Sequence, residues 1–188
     1  EDYKGTRKSL PEELIAQFPL VREYCDAASL CYWQEDGLEA DDIIGSLVKR
    51  YPDWDINVLS SDKDLLQLID KTTSVWLMKK GLTEIEEMDE VKLQEMWGVR
   101  PDQIPDLKGL MGDASDNIPG LPGVGEKTAL KLLSEYGSVE NVIANVEQLK
   151  GKLKENVLNF HEKATFSKWL ATIKTDAEIH VKLDDALY

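Results

Sequence analysis

The chain is poor in the residues that most often advertise a function. Of 188 residues, two are cysteine and two are histidine. Cys25 and Cys31 have neither metal-ligand spacing nor a redox pattern, so a disulfide framework and a zinc site are both excluded and the pair is read as reduced packing residues. His161 and His180 stand too far from the acidic clusters to join them as ligands. No apolar run reaches the length of a membrane span, and no charged-then-apolar leader precedes a small-residue cleavage site. A cytoplasmic protein without membrane contact is expected. Internal repeats and low-complexity linkers are also missing. The five tryptophans, Trp33, Trp54, Trp76, Trp97 and Trp169, are read as core or edge packing.

Basic charge is scarce as well. Twenty-two Lys and Arg face 36 Asp and Glu, a net charge of −14. Such a mean field repels a phosphate backbone, which excludes an indiscriminate nucleic-acid binder. Any nucleic acid has to be met by local basic strips and bound cations. At 42% hydrophobic and 31% charged residues, the chain is too apolar to be largely disordered. Its length fits one domain, or one domain with a small appended module.

What is abundant is carboxylate, and seven of these groups fall in three packets: Glu39-Ala-Asp41-Asp42, Asp62-Lys-Asp64 and Asp113-Ala-Ser-Asp116. Each lies in apolar or glycine-bearing sequence. A carboxylate pressed into a partly buried crevice is protonated, paired or metal-bound. Lys63 is the only basic residue inside the packets. Many hard oxygen ligands point to magnesium or manganese, and two such ions are the usual apparatus of phosphodiester hydrolysis. Acidic residues in helical first turns are also common helix-starting signals, and that reading stays open for each packet alone.

The periodicity predicts an amphipathic helix over 11–30, with Pro11 at its start and a kink at Pro19, and a second helix over 39–51 carrying the first packet. Asp55–Ser60 reads as a buried strand, and a helix from Ser61–Asp62 to Ile69 follows it at once. A strand over Val75–Met78 turns at Lys80-Gly81 into a hairpin partner over Thr83–Glu86. Helices are expected near 89–97, 101–112, 126–136, 138–146 and 150–173. Strands alternating with helices imply an α/β fold with a mostly parallel sheet, whose ligand sites gather at the carboxyl ends of strands.

Two further signals concern phosphate. Gly120-Leu-Pro-Gly123-Val124-Gly125-Glu-Lys127-Thr128-Ala129 combines glycines that allow close backbone approach with a helix start that offers free N–H groups to an anion. It is similar to the hairpin of a helix-hairpin-helix element; a plain helix-to-helix turn is the alternative. A nucleotide loop fits less well, because no strand precedes it and the Walker spacing is wrong. Tyr3-Lys4-Gly5-Thr6-Arg7-Lys8 is a basic strip with an aromatic, suited to phosphates and a stacked base, although alone it also reads as a solvated terminal segment.

In order along the chain, GLEADD at 37–42, SSDKDLLQL at 60–68, LMGDASDNIPGLPGVGEKTA at 110–129 and LATIKTD at 170–176 resemble the 5′-nuclease (5′-3′ exonuclease) domains that bacterial DNA polymerases of type I carry, part of the flap-endonuclease family. The resemblance implies a central mostly parallel sheet, a helical arch and a C-terminal helical lobe with a helix-hairpin-helix motif. It divides the chain into a nuclease core at 1–112, with arch sequence at 1–30, and a DNA-binding lobe at 113–188. It further implies that Glu39, Asp41, Asp42, Asp62, Asp64, Asp113 and Asp116 bind two magnesium or manganese ions. Gly120, Gly123, Val124, Gly125, Lys127 and Thr128 would hold duplex DNA, with a potassium ion at the hairpin. Tyr3, Lys4 and Arg7 would clamp a 5′ strand, Lys4 and Arg7 acting catalytically on the phosphate. Flapped, nicked or branched DNA and RNA primers would be substrates, the protein a monomer, and a polymerase module would follow in the parent. Family members begin with a strand and two aspartates that precede the first residue here, so a fragment is expected. A DNA-binding module without catalysis is then the second reading. A ribonuclease of related fold is a third, with no need of the hairpin.

Overall fold

A computed structural model describes residues 9–81, 83–180 and 186. The first helices among the described residues are α1 (Glu12–Ile15) and α2 (Phe18–Ala27). One helix was expected over 11–30, and Pro19 explains the division. Its ring removes an N–H and clashes with the carbonyl four residues back, so α1 ends before it and Pro19 sits in the first turn of α2, where both defects are harmless. Neither helix buries a residue: Leu14, Phe18, Val21 and Tyr24 all remain exposed.

α3 (Ala40–Arg50) carries Asp41 and Asp42 in its first turn and Lys49 and Arg50 in its last, each matching the helix dipole. Strand β1 (Ile56–Ser60) pairs parallel with β2 (Thr73–Lys80), and β2 pairs antiparallel with β3 (Glu84–Met88). The expected hairpin is therefore present, and the sheet is small and mixed, in order β1-β2-β3. A 3-10 helix over Lys63–Leu68 fills the connection from β1 to β2.

The remainder is helical. α4 (Glu90–Trp97) is capped by Asp89, which accepts the Lys92 N–H at 2.7 Å, and ends at Gly98 in the left-handed region. After a 3-10 turn at Pro101–Gln103 come α5 (Ile104–Met111), α6 (Glu126–Tyr136), α7 (Val139–Ala144) and α8 (Gly151–Ala171), the last kinked at Phe160. One apolar core joins the two halves: Leu65, Leu66 and Val75 from the sheet region pack in the same cluster as Leu107, Leu110, Leu133, Val142 and Val157.

That shared core fixes the positions of three segments. Gln67 ties the 3-10 helix to the end of α8, donating to the Ala171 carbonyl at 3.0 Å and accepting the Ile173 N–H at 2.9 Å. Ser46 and Asp42 of α3 accept the N–H groups of Ala177 and Lys174. Gly45 lets this segment lie against α3, since a Cβ there would come within 2.7 Å of the Ile173 side chain.

Candidate metal centre

Three carboxylates converge at the carboxyl end of β1. Asp64 comes from the 3-10 helix, Asp113 and Asp116 from the turn after α5, and one oxygen from each lies within 4.8 Å of the others. The turn is fixed by its own backbone. Asp113 and Ile118 exchange two N–H to carbonyl bonds of 2.8 Å, and Asp113 also accepts the Ser115 N–H at 2.8 Å. Gly112 and Gly120 make the close return possible, because a Cβ on Gly120 would lie 2.2 Å from the Gly112 nitrogen. The fully buried Ser167 of α8 accepts the Gly120 N–H at 3.2 Å and ties the turn to the helix behind it.

Beside the cluster lies a cavity of about 540 Å³ whose lining includes Glu39, Asp41, Asp42, Asp64 and Asp116 together with Trp169 to Lys174. Among the described lining residues, five carboxylates thus share the cavity with one lysine, Lys174. Lys108 of α5 supplies the nearest counter-charge to the cluster, its ammonium contacting both Asp64 and Asp113. These three groups shift one another. Burial raises the Asp64 carboxyl above its usual value, with the Lys108 contact opposing it. Burial also pushes Asp113 up, but hydrogen bonds from Lys108 and Ser115 prevail and hold it at about 2. Lys108 is pulled down by burial and pushed further up by its two carboxylate partners, so it stays protonated.

The donor set fits a hard divalent cation. All the converging atoms are carboxylate oxygens, and the buried Asp64 Oδ1 has the Lys108 ammonium as its partner.

The glycine-bearing loop runs from Gly120 into α6. Gly123 and Gly125 are exposed, Gly125 is the N-cap residue of α6, and Lys127 projects from the first turn. Val124 is buried at 5% exposure and belongs to the core, so its side chain faces away from any ligand.

Comparison with known proteins decides the family. A model described as the 5′-3′ exonuclease N-terminal resolvase-like domain matches residues 1–98, and one described as the 5′-3′ exonuclease C-terminal SAM fold matches residues 99–188. The chain belongs to the 5′-3′ exonuclease family. DNA polymerase I of Bacillus caldotenax is 48% identical over 191 residues, covering 100% of this chain and 22% of the relative. DNA polymerase I of Bacillus subtilis strain 168 is 46% identical with the same coverage. The exonuclease-family chain therefore spans about 22% of the length of these relatives. Among solved structures, bacteriophage T5 5′-exonuclease with bound divalent zinc ions superposes with a TM-score of 0.75 at 27% identity, over 92% of this chain and 68% of that one. A T5 flap endonuclease complex with DNA and metal ions gives 0.74 at 26% identity, over 92% and 67%. The catalytic core of Rad2 shares the fold, with a TM-score of 0.54 over 80% of this chain and 50% of that one, at 18% identity.

Within this exonuclease-family chain, the structure gathers six of the seven packet carboxylates around one cavity or cluster. Asp62 does something else: it caps the 3-10 helix, accepting the Asp64 N–H at 2.9 Å. Lys63, the cation inside the packets, turns away and lies 5.2 Å over the Trp97 ring. Tyr3, Lys4 and Arg7 lie outside the described residues. Sequence reading missed Lys108, whose one signal is a lysine in the mostly apolar stretch Ile104–Met111, five residues before Asp113. Of the tryptophans expected as core or edge packing, Trp33, Trp54, Trp76 and Trp169 are exposed, Trp169 at 69% on the cavity rim, and Cys31 is exposed as well. Among the described residues no helix is long and apolar enough to cross a membrane.

Proposed function

We propose that the chain carries the catalytic core of a structure-specific 5′-nuclease, hydrolysing DNA phosphodiester bonds at 5′ ends, flaps and nicks with magnesium or manganese, and so removing flaps and RNA primers in replication and repair. The observation that carries this reading is the convergence of Asp64, Asp113 and Asp116 beside a cavity also lined by Glu39, Asp41 and Asp42. Bound there, divalent ions supply a water of lowered pKa and offset charge on the phosphate. The residues themselves set the geometry: the Asp113 turn is locked by Ile118 and Ser115, and Gln67 holds the Asp64 helix against the cavity wall.

Residues 1–112 then form the nuclease core, with 1–30 as arch sequence, and 113–188 form the lobe that holds duplex DNA. Tyr3, Lys4 and Arg7 clamp the 5′ strand, and Lys4 and Arg7 neutralise its phosphate. The start of α6, with exposed Gly123, Gly125 and Lys127, half-buried Thr128, the backbone of Val124 and the buried Gly120 that sets the loop's course, receives a duplex phosphate, with potassium held by backbone oxygens of the hairpin. Similarity to DNA polymerase I supports a parent in which a polymerase module follows this chain, and we take that parent to be a monomer. With few basic contacts, affinity for DNA falls gently with salt, by roughly 0.9 in log affinity per neutralised phosphate and unit log salt.

The test is cleavage of a 5′-flap duplex by the full chain and by its parent. Magnesium-dependent cleavage, lost in Asp113→Ala and Asp64→Ala, is expected; undiminished cleavage in EDTA overturns the reading. A non-catalytic DNA-binding role is favoured by one observation, that Lys108 already bridges two cluster carboxylates. Manganese binding to the wild type, weakened in Asp113→Ala, separates the two.

A further inference from the structure

The outer face of α8 breaks the rule that large aromatics are covered. Its inner face buries Ala164, Ser167 and Ala171 against the rest of the lobe. On the other side Phe166 and Trp169, three residues apart and so neighbours on the helix surface, are 55% and 69% exposed. The rings are not splayed. Their centroids are 5.7 Å apart and their planes 21° from parallel, a stacked arrangement that fixes the indole by contact with the phenyl ring.

Position gives this pair a meaning that exposure alone would not. Trp169 is the one aromatic in the lining of the cavity that Glu39, Asp41, Asp42, Asp64 and Asp116 share. A rim so rich in carboxylates repels backbone phosphate wherever no cation intervenes, whereas a neutral π face accepts a base. Stacked bases in a strand follow one another at about 3.4 Å, so a nucleotide whose phosphate enters the cavity has its own base, or the next, at the rim. The indole is the surface available there.

We infer that Phe166 and Trp169 form a stacking platform for an unpaired nucleobase of the strand whose phosphate enters the carboxylate cavity. The inference rests on the nuclease reading above and adds a base-binding site to it, without sequence selectivity, since every base offers a π face. Trp169 makes the contact; Phe166 acts as a positioning residue that holds the indole in its stacked orientation.

The experiment uses the full chain, in calcium instead of magnesium, with duplexes that are blunt or carry a short unpaired 5′ overhang holding 2-aminopurine beside the junction. Trp169→Ala should weaken overhang binding about tenfold, the effect of losing one base stack, leave blunt-duplex binding unchanged and abolish 2-aminopurine quenching. Trp169→Phe should restore most of both, and Phe166→Ala should give a smaller loss. An unchanged overhang affinity in Trp169→Ala, or an equal loss on blunt duplex, overturns the platform. So does a melting temperature lowered by several degrees, which would mean that protein covers the indole. If the wild type cleaves overhang DNA in magnesium while Trp169→Ala binds normally, the platform alone fails. A wild type that neither binds nor cleaves removes the nuclease reading, and the platform with it.

Discussion

Two buried aspartates on neighbouring elements meet their lysines under opposite conditions. Asp106 of α5, at 4% exposure, accepts the Val139 N–H at 2.8 Å and lies 2.8 Å from the Lys168 ammonium, which also reaches Glu140. Asp64, at 9%, shares Lys108 with Asp113 and is crowded by further carboxylates across a cavity. In the first network one buried carboxylate has both a hydrogen-bond donor and a cation, and it ties α5, α7 and α8 together. In the second, two carboxylates share one ammonium and a third, Asp116, converges on them. Burial raises both aspartates above the usual carboxylate range, so desolvation does not separate them. Convergence does: Lys168 joins two carboxylates of separate helices, whereas Asp64 and Asp113 meet Asp116 within 4.8 Å beside a cavity lined by three further carboxylates. Carboxylate oxygens gathered on one point suit a cation, and pairs spread between helices suit stability.

The comparison breaks most sharply at Asp64→Asn. The change removes a charge that burial disfavours, and Lys108 keeps Asp113, so the metal-free protein should hold its stability to within about 1 kcal/mol. Manganese affinity should fall by more than about 100-fold, beyond what loss of an outer partner causes. Titration calorimetry together with urea unfolding checks both halves. A large stability loss with intact metal affinity would make the two networks alike.

The converse variant is Lys168→Met. It strands Asp106 with a single N–H donor in the core, and loss of one partner from a buried pair costs about 3 kcal/mol. Urea midpoints should register that loss, while manganese affinity per folded molecule stays at the wild-type value. A matching fall in metal affinity would show that the two networks are coupled through α5.

The two networks also differ in how far the sequence reveals them. The packets are local: Glu39 to Asp42 sit at a predicted helix start, and Asp62 to Asp64 directly follow a predicted strand, so periodicity alone puts the latter at the sheet's carboxyl edge. α6 falls on the predicted 126–136 because Gly125 and Gly137 bound it and the apolar spacing between them is regular. The Asp106–Lys168 pair leaves no such trace. Its members lie in helices far apart along the chain, and each reads as an ordinary polar position on its own. Lys108 was hidden likewise, since its partners come from two separate packets. Trp169 was misjudged for another reason. Hydrophobicity assigns an aromatic to the core, but the turns of α8 that bury Ser167 and Ala171 direct residue 169 outward.

The smallest expected effect sharpens the comparison at the rim of the Asp106 network. Lys168 hydrogen-bonds Glu140 at 2.8 Å, and although burial pushes that carboxyl up, the ammonium prevails and holds it below its ordinary 4.5. A carboxylate whose value is depressed on folding adds stability above its unfolded value and loses it as the pH falls through the folded one. Glu140 is largely exposed, so solvent screens the pair, and Glu140→Gln should destabilise the protein at neutral pH by less than about 1 kcal/mol. The difference from wild type should shrink as the pH falls below 4.5 and vanish once both states are protonated. Paired urea midpoints across that range measure it. A difference that persists in acid would mean that Glu140 acts through packing, and that charge balance in this network is complete with Asp106 and Lys168 alone.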